Sequence, residues 1–144
     1  MMRVFWRSRR ERERGANLVE FALVLPLLLL MLVGVADLGR AFTTYIAITN
    51  AAREGARYAS RWPNYRDQIV EAVIEEAALS GLTLEDTEEQ IEIEGLQGLS
   101  GETIVVTIRY DFPLILGGLI GVADGTITLG NRTSMVIFGL PEPE

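Results

Sequence analysis

Phe21-Ala22-Leu23-Val24-Leu25-Pro26-Leu27-Leu28-Leu29-Leu30-Met31-Leu32-Val33-Gly34-Val35-Ala36 contains no charged residue. Extending the run back to Ala16 adds Asn17 and a single carboxylate, Glu20. About twenty residues at a rise of about 1.5 Å each cross the hydrocarbon core of a bilayer. The run therefore reads as a membrane helix with one ionisable group in it. Such a group costs roughly 3 kcal/mol or more in lipid and is a functional candidate by default. Upstream, Arg3, Arg7, Arg9, Arg10, Arg12 and Arg14 crowd a leader that holds only Glu11 and Glu13 against them, while the chain as a whole carries a net charge of −7. By the positive-inside rule the leader stays cytoplasmic and the acidic remainder crosses. The small pair Gly15-Ala16 joins the two. A cut between them would create an α-ammonium one helical turn from Glu20, placed to neutralise it in the same chain or in a neighbouring copy.

A leader that ends in Gly15 and a following segment with glutamate as its fifth residue resemble type IV pilin-like precursors. Val19-Glu20-Phe21-Ala22-Leu23-Val24-Leu25-Pro26 and Thr49-Asn50-Ala51-Ala52-Arg53-Glu54-Gly55-Ala56-Arg57 narrow the resemblance to TadE-like pseudopilins of tight-adherence pilus systems. The resemblance is dense over about the first sixty residues. It implies a prepilin peptidase that cuts after Gly15 and an assembly machine that draws the precursor from the inner membrane into a filament on the cell surface. It also implies other pilin subunits, or copies of this chain, as partners, with Glu20, Phe21 and Pro26 acting in assembly. Two other readings stay open. A secretory signal peptide would use Gly34-Val35-Ala36 as its small-x-small site, but leaves Glu20 and the Gly15 junction without a role. A signal-anchored membrane protein would keep its leader and display a monomeric binding module outside the cell.

Pro26 lies inside the run, where it removes one backbone hydrogen bond and crowds the preceding turn. A kink or a locally melted stretch is expected to start there. Beyond Ala36 the pattern stays helical and turns amphipathic, with Asp37 and Arg40 first and then Phe42, Tyr45, Ile46 and Thr49 among alanines. One helix over residues 17–61 would be roughly 65 to 70 Å long. Its outer half needs a surface to cover it. Ala47, Ala51, Gly55 and Ala59 recur every four residues and form a smooth strip that admits another backbone closely, from a second subunit or from the chain's own domain. Arg53 and Arg57 stand four apart beside Glu54, and like charges at that spacing repel without an acidic partner. Asp37, Glu54 or Glu20 of a neighbouring subunit would serve, or the arginines form a solvated face.

Trp62-Pro63 ends this helix, because the residue before proline is pushed out of α geometry. Asn64 is placed as the cap of a second helix of about sixteen residues that Gly81 closes. Ile69, Val70, Val73, Ile74 and Ala77 give that helix its apolar stripe. Alternation follows: Ile91 and Ile93, then Ile104, Val106, Ile108, Tyr110 and Phe112 on one face, then a third strand over residues 126–138 with a bulge near Gly130-Asn131. The fold class expected is α+β and pilin-like, a long N-terminal helix packed against a small antiparallel sheet of about three strands plus a second helix. Its divisions are a leader over residues 1–15, the long helix over 16–62 and an extracytoplasmic domain over 63–144. Between the last two strands, residues 113–123 are uncharged and too short to span a bilayer. Their glycines argue against a regular helix, and the segment reads as a core lid or as a patch that waits for a partner.

Catalysis is a poor expectation. The chain has no histidine and no cysteine, and all thirteen of its basic residues are arginine, which removes the commonest general base and the usual soft metal ligands. Glu85, Asp86, Glu88 and Glu89 lack the spacing of a calcium loop and read as a solvated turn. No cofactor, no metal and no nucleic acid are expected. Asn131-Arg132-Thr133 fits a glycosylation sequon, and the tail Leu140-Pro141-Glu142-Pro143-Glu144 is expected to be extended.

Overall fold

Leucine, alanine, arginine and glutamate, all good helix formers, fill the N-terminal third of the chain, and there α1 runs over Arg7–Ala59 without interruption. The computed structural model describes the backbone of residues 7–121 and 125–138 and the side chains of residues 15–119, 121 and 125–138. The arginine side chains of the leader and the tail from Gly139 lie outside them. At 53 residues α1 is about 80 Å long. It begins some ten residues earlier than the apolar pattern predicted, because the arginine- and glutamate-rich leader is itself a good helix former. It also continues through Pro26. No stretch melts there: one withdrawn N–H is a local loss, and the leucines that follow carry the helix on.

α1 ends at Ala59, and the turn beyond it is tied by the Ser60 N–H to the Ala56 carbonyl and the Trp62 N–H to the Tyr58 carbonyl, at 2.9 and 3.0 Å. α2 covers Arg66–Leu79, two residues shorter than expected, and Tyr65 rather than Asn64 holds its N-cap position. Asp67 still falls in the first turn, where a negative charge suits the helix dipole. The C-terminus closes as a Schellman motif. Gly81, at φ 74°, donates to the Ala78 carbonyl, and Leu82 donates to that of Ala77.

Three strands, β1 (Ile91–Glu94), β2 (Thr103–Pro113) and β3 (Thr126–Val136), form an antiparallel meander with β2 in the centre. β2 and β3 pair in one register from Thr103↔Val136 to Pro113↔Thr126. The bulge expected near Gly130 is therefore absent: Gly130 pairs with Arg109 in sequence, and its missing side chain leaves room for the Ile108 carbonyl. On the inner face Ile91 pairs with Ile108 and Ile93 with Val106. The outer face is polar, with Arg109 on Glu92 and Arg132 on Glu94, both at 2.8 Å. A single core joins Ile48, Ala52 and Ala56 of α1, Ile69, Val70 and Val73 of α2, and Ile104, Val106 and Ile108 of β2. The sheet and α2 thus cover the C-terminal half of α1, and the fold is α+β.

Candidate functional site

Helical spacing sorts the C-terminal half of α1 into two faces. Ala47, Ala51, Gly55 and Ala59 are all buried, against this chain's own domain. At Gly55 the approach is closest, since a Cβ placed there would lie 2.3 Å from Val73 Cγ2 and 3.4 Å from Val106 Cγ1. Around the helix, Leu38, Phe42, Tyr45 and Ile46 stand exposed. Their spacing of four, three and one residues sets them on one stripe, a surface of which the sequence pattern marked Phe42, Tyr45 and Ile46 but not Leu38.

Where the uncharged run ends, Asp37 is 3 % exposed. Its two oxygens accept from the backbone N–H groups of Ile115 and Leu116, at 3.1 and 2.8 Å, and the Arg40 guanidinium donates to Oδ1 at 3.0 Å. Ile115 and Leu116 open a short helix, α3 (Ile115–Ile120). The carboxylate of α1 therefore caps a helix 78 residues further along the chain. Arg40 also stacks over the Phe112 ring, 4.9 Å from its centroid, and reaches the Pro113 carbonyl at 3.5 Å.

α3 corrects the expectation that the glycines of residues 113–123 argue against a regular helix. Gly121, at φ 66°, supplies the left-handed C-cap and donates to the Gly117 carbonyl. Gly117 lies so close to Gly125 that a Cβ on it would meet the Gly125 Cα at 3.0 Å. The glycines thus end the helix and let the chain that leads into β3 approach it closely. On the other side Leu116 packs toward Gly34 of α1, and Met31, Val35, Leu38, Ala41, Leu114 and Ile127 line an apolar cleft between the two. Ile115 and Leu119 point outward, 53 and 65 % exposed.

The remaining charges pair locally. Glu54 receives both Arg57 Nε, at 2.7 Å, and Arg57 Nη2, so Arg57 has an acidic partner within its own helix, three residues back. Arg53 is exposed and forms no ion pair among the described residues. In the acidic turn, Arg66 donates to both oxygens of Asp86, at 3.2 and 2.8 Å. This hydrogen bonding holds the Asp86 carboxyl below its ordinary range. The pair's small contribution to stability is therefore present above that range and fades as the pH falls from it through the lowered pKa of the folded chain. No carboxylate cluster that would hold a metal ion occurs among the described residues. Asn131 accepts from the Thr133 hydroxyl at 2.9 Å and is half-buried on β3.

At the other end of α1, Gly15, Ala16, Glu20 and Phe21 are exposed, Glu20 with no ion pair among the described residues. From Leu18 to Leu29 the large apolar side chains stand exposed, and none of the most apolar eighteen-residue window, of mean hydropathy 2.7, is buried. This part of the helix is long and apolar enough to cross a membrane.

A helix long and apolar enough to anchor in a membrane, whose C-terminal half carries an α+β domain, is the class of protein that these features define. Residues 15–57, the stretch from the Gly15 junction through the Glu54–Arg57 pair, match the family described as TadE-like protein. That is the family that the sequence motifs resemble, and it is a structural, pilus-related family rather than an enzymatic one. No curated protein and no solved structure matches the chain.

Proposed function

We propose that the protein is a structural subunit of a tight-adherence pilus, held in the inner membrane by α1 as a precursor and packed into a filament through that helix. The observation that carries this reading is a mismatch of length. Residues 17–36 already fill about 30 Å of hydrocarbon. The uncovered apolar surface of α1 goes on to Ile46, ten residues or about 15 Å further. Lipid tails do not reach that surface, and the protein's own domain leaves it bare. A neighbouring subunit's helix would cover it, and would also take the place of lipid around residues 18–32 once the subunit leaves the membrane.

In that setting a prepilin peptidase cuts between Gly15 and Ala16, and the new Ala16 ammonium neutralises Glu20 in the same chain or its neighbour. Two measurements test the proposal. The N-terminal residue and intact mass of protein purified from its native host should correspond to a chain that starts at Ala16. Glu20→Ala should lower filament yield at least several-fold while the domain keeps its unfolding midpoint. A chain that retains Met1 and stays monomeric in detergent would instead indicate an anchored display module, and filaments from Glu20→Ala in wild-type amounts would remove the carboxylate from the assembly mechanism.

A further inference from the structure

We propose that α3 is a membrane foot: its Ile115 and Leu119 side chains enter the outer leaflet beside α1 and fix how deep the helix sits and how the domain stands on the bilayer. The inference rests on α1 as the membrane span. Its first support is depth. With residues 17–36 in the hydrocarbon, Gly34 lies about 3 Å and Met31 about 8 Å inside the boundary, and α3 docks against these positions. The exposed face of α3 is therefore continuous with the lipid-facing surface of α1, at the same height.

The second support is charge. Among the described side chains of α3 and its flanks, from Leu114 to Leu119, none is polar. The carboxylate that meets α3 here, Asp37, is shut off from its surroundings by two backbone N–H groups and Arg40. A domain base designed to face water would gain nothing from hiding that charge while exposing isoleucine and leucine. Beside lipid, where an unpaired polar group is expensive, both choices are favourable. The far end of the domain offers a contrast. Leu99 is also exposed, but it lies in the turn that joins β1 to β2, beside the end of β3 near Ile137, on the side of the sheet away from α3.

The chain contains no cysteine, so single-cysteine variants can each carry one nitroxide. Leu28→Cys, Leu119→Cys and Leu99→Cys, all at exposed positions, would be made in the full chain and reconstituted in phosphatidylcholine vesicles. Collision with dissolved oxygen and with a water-soluble nickel chelate is then read by electron paramagnetic resonance. The proposal expects the oxygen-to-nickel ratio at 119 to approach that at 28 and to exceed that at 99 several-fold. A lipid-like ratio at 28 with a water-like ratio at 119 overturns the foot and leaves the span intact. A water-like ratio at 28 overturns the span, and the foot with it. Screening of position 119 from both reagents means that protein covers α3, which also overturns the proposal.

Discussion

Asp37 does the work of a helix cap at long range. A short helix is marginal by itself, and α3 has only six residues, so two charge-assisted bonds to its first N–H groups decide whether it forms. Asp37→Ala would leave those groups without acceptors. In the full chain in detergent, amide hydrogen exchange at Ile115 and Leu116 should then accelerate by at least an order of magnitude, while the amides of β2 away from Pro113 keep their rates. Asp37→Asn retains one acceptor oxygen and should fall between. Unchanged exchange at both amides in Asp37→Ala would mean that packing on Gly34 suffices to hold α3. The sequence marks Asp37 as the first charge after the apolar run, but its partners lie 78 and 79 residues away. Periodicity carries no information at that distance.

Gly55 raises a contest between two effects of opposite sign. Replacing a mid-helix glycine by alanine gains about 1 kcal/mol in helix propensity, whereas overpacking a filled core costs about 1 to 3 kcal/mol. Sterics should win here, because the atom 2.3 Å from the new Cβ belongs to Val73, a β-branched residue held to one rotamer on α2. Gly55→Ala should therefore destabilise the domain by about 1 kcal/mol. In a Val73→Ala background the same change should stabilise it, a reversal that a double-mutant cycle of denaturant unfolding midpoints measures. Additive effects would refute the contact. The strip's closeness was legible from its four-residue spacing, but spacing does not say whose backbone approaches. The sheet's faces were legible too, since strict alternation in β2 leaves one choice of inside. The bulge and the α3 segment were misjudged for one reason: glycine marks a need for room or for positive φ, and only the neighbouring chain shows which.

For the whole molecule, the C-terminal half of α1 serves two masters. Its small-residue face is spent inside the domain, so the surface that the proposed assembly would use is the opposite, large-residue stripe of Leu38, Phe42, Tyr45 and Ile46. That division was hidden in the sequence, where both faces read as one amphipathic continuation, because the hydrophobic pattern identifies apolar faces but not which of two is already taken. It also separates folding from assembly in a testable manner. Phe42→Ser with Tyr45→Ser alters side chains that stand 67 and 43 % exposed, outside the core cluster, so the domain's unfolding midpoint and membrane insertion should be unchanged. Surface substitutions of this kind usually stay within about 0.5 kcal/mol. Filament yield should nevertheless drop several-fold, whereas Leu99→Ser, at a more exposed position at the remote end of the sheet, should leave it unchanged. Pelleting of sheared filaments, with the membrane fraction as the control for expression, reads both. If the double variant assembles as well as the parent chain, the stripe above the bilayer is not a subunit interface, and the length mismatch of α1 needs another cover.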